Sequence, residues 1–324
     1  MRTSLAFLAL GAGLLALSAC APTGSTSTGL SGTQSPGLSS SGIPRPSSTP
    51  LYQLNRGAKP LGWMCKNCSL KSVIYLAASD RVVIYPESGS NPAPIGAVSN
   101  HVAGAWGLFV DAKHNLFVAN NGSISAYQSG KLSPFIVYSD SHRPMYVVTD
   151  ATGRLYAANR DGTVTEYPAG QTKPDRTLQT AGSEADGINV DYANNLYVAY
   201  RGQGDIGSIE EFSPHSKKGR VLGMQIVAPQ GLQLDHSGNI LVVETDNKQD
   251  VEVFPPGSQT PSQVITVTDG VEQIVLREAQ EQMYVSNFLN GSVYVSPYPA
   301  ANFQLKIDSG FGGIQGMALS NGAP

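Results

Sequence analysis

The sequence predicts an all-β fold, a six-bladed β-propeller built from four-stranded blades. Three observations predict it. A unit of short strands recurs at intervals of 39, 41, 44, 42 and 43 residues. Each strand is brief and bounded by Gly, Asn, Asp or Pro, and no long helical periodicity runs through this part of the chain. Four short strands every forty-odd residues is the pattern of a propeller blade.

The first strand of the unit reads Gly107-Leu-Phe-Val-Asp111, Tyr146-Val-Val-Thr-Asp150, Gly187-Ile-Asn-Val-Asp191 and Gly231-Leu-Gln-Leu-Asp235. Gln273-Ile-Val-Leu-Arg277 continues the series without the aspartate. The glycine suits a crowded channel end, where a side chain is hard to place. The aspartate, just before a Gly/Asn turn, is expected to cap the hairpin by accepting backbone N–H bonds. A second strand follows, as in Asn115-Leu-Phe-Val-Ala-Asn120 and Asn195-Leu-Tyr-Val-Ala-Tyr200. A third recurs as Gly122-Ser-Ile-Ser-Ala-Tyr127 and Gly207-Ser-Ile-Glu-Glu-Phe212, and a looser fourth closes several units, as in Gln263-Val-Ile-Thr-Val267.

Five units are complete and the sixth is split. Residues 73–85 read as second and third strands with no first strand before them, while Gly316-Met-Ala-Leu-Ser320 reads as a first strand with nothing after it. Joining the two closes the ring and removes exposed sheet edges. The propeller is therefore expected over residues 72–324.

The segments before it have other signatures. Met1 and Arg2 begin a short positive region, and an apolar run from Leu5 to Leu17 is too short for a stable span but right for a signal peptide over residues 1–19. It ends in Leu17-Ser18-Ala19-Cys20, which resembles the lipobox of bacterial lipoproteins. That resemblance implies cleavage before Cys20, acylation of its thiol, and a stable anchor through two or three chains. The competing reading is an ordinary secretory signal with Cys20 incidental. Residue 21 is alanine, not the aspartate that in the Gram-negative pattern favours the inner membrane. The expected location is thus the cell envelope, on the outer membrane in a host with two membranes. Residues 20–50 are nearly all Ser, Thr, Gly and Pro after the cysteine and are expected to form a disordered tether.

A lead-in over residues 51–71 carries Cys65-Lys-Asn-Cys68. Such spacing serves a redox pair, half a zinc site or a small disulfide loop. No second Cys-x-x-Cys accompanies it, and a redox motif should open a helix in an α/β unit. The expectation outside the cytoplasm is a Cys65–Cys68 disulfide.

The repeats resemble the NHL family and the wider six-bladed group that includes gluconolactonase-like and TolB-like propellers, through Gly-x-x-x-Asp followed by Asn-Leu-Tyr-Val-Ala. NHL units usually place aspartate after the second strand; here that position holds Asn120, Asn159, Tyr200, Glu244 and Asn287. The gluconolactonase-like resemblance implies a divalent cation such as calcium at the channel mouth, held by residues just before the innermost-strand glycines. The matching positions are Trp106, Met145, Asp186, Gln230, Glu272 and Gln315. Two carboxylates and two amides are a thin set for a hard cation, so no metal ligands are assigned. Trp106, Asp186, Gln230, Glu272 and Gln315 are instead the candidate ligand-binding residues of the channel rim.

Other chemistry is sparse. The net charge is −3 with 14% charged residues, and the densest basic run is Lys217-Lys218-Gly219-Arg220. That excludes the footprint of a nucleic-acid binder. The five histidines lack metal spacing in sequence, although repetition places His101 and His142 in comparable inter-blade loops. There is no nucleophile motif, phosphate-cradling loop or dinucleotide fingerprint. The expected function is non-catalytic: a monomer, anchored to the membrane by lipid, presenting its propeller to a protein, glycan or small ligand. The alternative is a metal-dependent hydrolase or lyase acting on lactones or sugars.

Overall fold

The computed structural model describes residues 72–245, 250–267, 270–277 and 281–320. The signal segment, Cys20, the tether and the Cys65/Cys68 pair lie outside the described residues. Those described form six antiparallel sheets, and each sheet follows the order inner, second, third, outer strand. Blade 1 joins Gly316–Ser320 to Val73–Ala78, Arg81–Pro86 and Gly96–Val98, so the split unit closes as the repeats require. Blades 2 to 6 have inner strands Leu108–Val110, Pro144–Thr149, Glu184–Val190, Pro229–Leu234 and Val271–Leu276. Blade 4 gains a fifth short strand, Ile226–Val227, beside its third.

Alternation along the strands explains the core. A strand held between two neighbouring sheets must be apolar on both faces, and Val73–Ala78 is buried at all six positions. Six apolar clusters result, each spanning the seam between two neighbouring blades. At the seam of blades 6 and 1, for example, Ile74, Leu76, Tyr85 and Met317 pack against Tyr284, Val293 and Ile307.

The aspartate caps form as the sequence predicts. Asp191 accepts from the backbone N–H groups of Ala193 and Asn195, both at 2.8 Å, and from the Asn195 side-chain amide at 2.8 Å. Asp111 and Asp235 repeat all three bonds, and Asp150 caps Thr152 and Arg154 in the same way. The position after the second strand is structural too. Asn120 accepts from Ala103 N–H at 3.1 Å and donates to Ser125 Oγ at 3.1 Å.

Candidate functional site

The inner strands do not run evenly into the channel. On four blades the register with the second strand shifts where the strand begins: between Pro144 and Tyr146, Ala185 and Ile188, Pro229 and Leu232, and Val271 and Gln273. Each slip inserts one residue: Met145 and Glu272 are unmatched, while Asp186-Gly187 face Ala199 and Gln230-Gly231 face Val243. A bulge re-aims side chains away from strict alternation. It explains why polar residues at the start of a buried strand are tolerated.

Close backbone approach holds these positions in one ring. At Gly187 an added Cβ would run into the carbonyl oxygen of Gln230 and lie 2.7 Å from the Leu232 Cβ. At Gly316 it would meet the carbonyl of Trp106. Gly107 contacts Met145 and Tyr146, and Gly231 contacts Glu272 and Gln273 in the same manner. Neighbouring inner strands therefore touch at one level, and the five candidate rim residues, with Met145 at the matching position of blade 3, sit at that level on successive blades.

The ring is polar, buried and incompletely paired. Asp186 is 1% exposed, Gln230 6% and Tyr146 4%, while Trp106, Glu272 and Gln315 are half-buried. Among the described residues, Trp106 Nε1, Tyr146 Oη, Asp186 Oδ1 and Gln230 Oε1 are buried without a hydrogen-bond partner. Each such atom costs about 1–3 kcal/mol in desolvation. Asp186 Oδ2 is held by Arg201, whose Nε donates to it at 3.1 Å. Arg201 also lies 3.8 Å from Glu184, which Arg160 approaches at 3.4 Å.

Burial pushes the Asp186 carboxyl up to about 7, with Arg201 pulling the other way. Burial likewise raises Glu272 to about 8, helped by repulsion from Asp186 and opposed by Arg201. The Tyr146 hydroxyl is raised by burial and by the nearby Glu272 and Asp186, so it stays a neutral donor. This mutual influence places Asp186, Glu272 and Tyr146 in one electrostatic neighbourhood. A cavity of about 220 Å³ opens beside it, lined by Trp106, Met145 and Gln315 of the ring and by Arg143, Arg160 and Asn121 at its edge.

Two members of this site were not foreseen. On blade 3 the polar group near Asp186 and Glu272 is the Tyr146 hydroxyl, whereas Met145 lines the cavity. Arg201 is the second. A divalent cation fits the set poorly, because a guanidinium already takes one oxygen of Asp186 and Met145 offers none, whereas calcium takes six to eight oxygens. The histidine pairing is also not formed by any contact between described residues. His142 Nδ1 lies 2.6 Å from Asp161 Oδ2, and His101 is used through its backbone carbonyl, which accepts from Asn120 and Ser125.

The opposite end of the axis holds a larger cavity that sequence reasoning did not anticipate. It measures about 590 Å³ and is walled by the ends of the inner strands and the turns that follow them, Phe109, Asn189, Tyr197 and Gln233 among them. Tyr192, 87% exposed, stands at this mouth with its hydroxyl 2.9 Å from His236 Nδ1. Only the occurrence of Tyr192 and His236 directly after two of the capping aspartates could have signalled it.

The fold and this channel define the class: a six-bladed β-propeller of four-stranded antiparallel blades. No family model and no curated protein matches the chain. Among solved structures, it is similar to a chain of the nidogen/laminin complex, with TM-score 0.66 and 15% identity over 76% of this chain and 98% of that one. It is also similar to a protein of unknown function from Bacteroides caccae, with TM-score 0.60 and 10% identity over 77% of this chain and 98% of that one. At such identities the likeness is one of fold.

Proposed function

We propose that the chain is an exported lipoprotein, acylated at Cys20, that carries its propeller on the envelope as a non-catalytic binding module. The observation that supports binding at the channel is the ring of buried polar atoms left unpaired on the bulged inner strands. A site that already bears the desolvation cost of four polar atoms gains what a partner's hydrogen bonds return. The partner engages the ring as a small ligand, or as the tip of a glycan or protein inserted at the mouth. In a host with two membranes, alanine after Cys20 supports the outer one.

Two experiments test the parts separately. Metabolic labelling with an alkyne palmitate analogue should tag the protein, and Cys20→Ser should abolish the tag. An unlabelled wild-type chain would overturn the anchor. For the site, binding to a glycan and small-ligand panel should be lost in Asp186→Ala with the fold retained. The hydrolase or lyase alternative draws on the two rim carboxylates, Asp186 and Glu272. It requires a stoichiometric divalent ion, measurable on the native protein by mass spectrometry and lost with Asp186→Ala.

A further inference from the structure

Two residues before each rim position the chain turns into its inner strand. On five of the six blades that residue is left-handed: Gly104, Arg143, Ala228, Gly270 and Gly313, with φ of 61°, 64°, 46°, 87° and 80°. Three of the five are glycine, for which the conformation carries no steric cost. Blade 3 places an arginine there. Strain kept in this way at one copy of a repeated turn marks a position chosen for its side chain.

The arginine also stands beside another. Pro144 pairs with Asn159 in blade 3, and one step outward the Arg160 N–H donates to the Arg143 carbonyl at 3.1 Å. Like charges set opposite each other on paired strands repel. Arg160 has Glu184 at 3.4 Å, whereas Arg143 has no ion-pair partner among the described residues, and its Nε donates to Asn121 Oδ1 at 3.3 Å. The nearby carboxylates Asp140 and Asp161 face His142 instead.

An anion between the two guanidiniums accounts for both departures. Arg143 and Arg160 are the only charged residues among those lining the 220 Å³ cavity, beside Ser79, Asn121 and Gln315, which all carry donors. With each Nε turned to a protein oxygen, both arginines keep their terminal N–H groups, the fork that fits a carboxylate. The uncompensated charge is the single one of Arg143, which a carboxylate balances and a phosphate monoester, at about −1.5 to −2, exceeds. It does not depend on Asp186 or Glu272, which lie off the cavity wall. Trp106, Pro144 and Met145 give that wall an apolar stretch, so the anion brings a carbon body with it. The cavity is smaller than the roughly 300–1,000 Å³ that encloses a drug-sized ligand, and it takes one end group. A sugar ring suits it, with a C–H face for Trp106 and hydroxyls for Ser79 and Gln315, which both donate and accept.

We infer that this cavity binds the carboxylate of an acidic sugar of the uronic-acid type, held between Arg143 and Arg160 with the sugar ring against Trp106. This deepens, and rests on, the proposal that the channel mouth is the binding site.

The chain contains two tryptophans, Trp63 and Trp106. In the full-length Trp63→Phe chain, fluorescence therefore reports on the cavity wall alone. Titration with glucuronate should give a saturable change, and glucose should bind at least tenfold more weakly. Arg143→Gly restores the residue that three other blades use at this turn. It should weaken glucuronate at least tenfold while melting no lower than the parent chain, and Arg160→Gln should weaken it likewise. Unchanged binding in Arg143→Gly, or a clearly lower melting temperature, would overturn the inference by making the arginine structural. Glucose binding as tightly as glucuronate would overturn the carboxylate. N-acetylglycine or inorganic phosphate binding more tightly than glucuronate would overturn the acidic sugar in favour of a peptide end or a phosphate. If all these acids fail while a neutral ligand binds and is lost in Asp186→Ala, the inference falls and the proposed site stands. If no ligand binds, charged or neutral, both fall.

Discussion

The fold depends on five residues at the far end of the chain, and removing them is its sharpest test. A chain ending at Gln315 lacks the inner strand of blade 1. That strand pairs Gly316 to Ser320 with Ala77 to Val73, over five residue pairs. Antiparallel partners exchange two bonds at every second pair, so about four to six backbone hydrogen bonds go, worth roughly 0.5–1.5 kcal/mol each. Met317 is fully buried, and losing such a side chain costs about 1.5–3 kcal/mol. Ile74 and Leu76, now at 0% exposure, would be partly uncovered, and Met317 N–H would no longer donate to Gln273 Oε1 at 2.6 Å. The total is about 4–14 kcal/mol before the uncovering of Ile74 and Leu76 is counted, comparable with the whole stability of a typical domain. The truncated chain should therefore show no cooperative thermal transition by circular dichroism, while a chain ending at Ser320 melts like the full one. A synthetic peptide of residues 316–324 should restore the transition. A truncated chain that melts cooperatively within a few degrees of the full one would refute closure by this strand.

Other outcomes follow from particular contacts. Gly187→Ala should cost about 3 kcal/mol in urea denaturation, because the new methyl strikes the Gln230 carbonyl. Gly257→Ala, with open space around it, should cost about 1 kcal/mol for its left-handed backbone alone; equal losses would discredit the close approach. Asp191→Ala removes three hydrogen bonds of a turn and should cost about 1–2 kcal/mol, and an unchanged urea midpoint would count against the cap. Asp186 and Glu272 give a pH signature of unusual sign. Their folded values, about 7 and 8, stand above the ordinary 3.8 and 4.5, so the folded state holds more protons. Their unfavourable contribution is absent in acid and grows as pH rises from about 4 to about 8. Glu272→Gln should thus melt several degrees above wild type at about pH 8.5 and match it at about pH 4. The reverse order would mean that the carboxylates are ionised and well paired in the fold.

What the sequence reveals and what it hides divide along a physical line. Blade count, split blade and turn caps repeat in sequence, because each obeys a local rule that every unit must satisfy. Asp111, Asp150, Asp191 and Asp235 were readable for this reason: the turn they cap lies within four residues. The ring level was readable from the glycines, since Gly187 and Gly316 record where one backbone presses on another. The chemistry inside the ring is not local. Arg201 reaches Asp186 only because the register slips between Ala185 and Ile188, leaving Arg201 opposite Glu184. A regular hairpin counted back from Asn195 would not bring the two together. A bulge on blade 3 likewise separates Met145 from Tyr146, and the tyrosine hydroxyl joins the charged groups. Each bulge leaves a repeat's length almost unchanged while altering which side chain faces the axis. Blades can therefore diverge in function without losing their pattern: one scaffold position, five kinds of residue on six blades, and a ring whose chemistry is set where the repeat is broken.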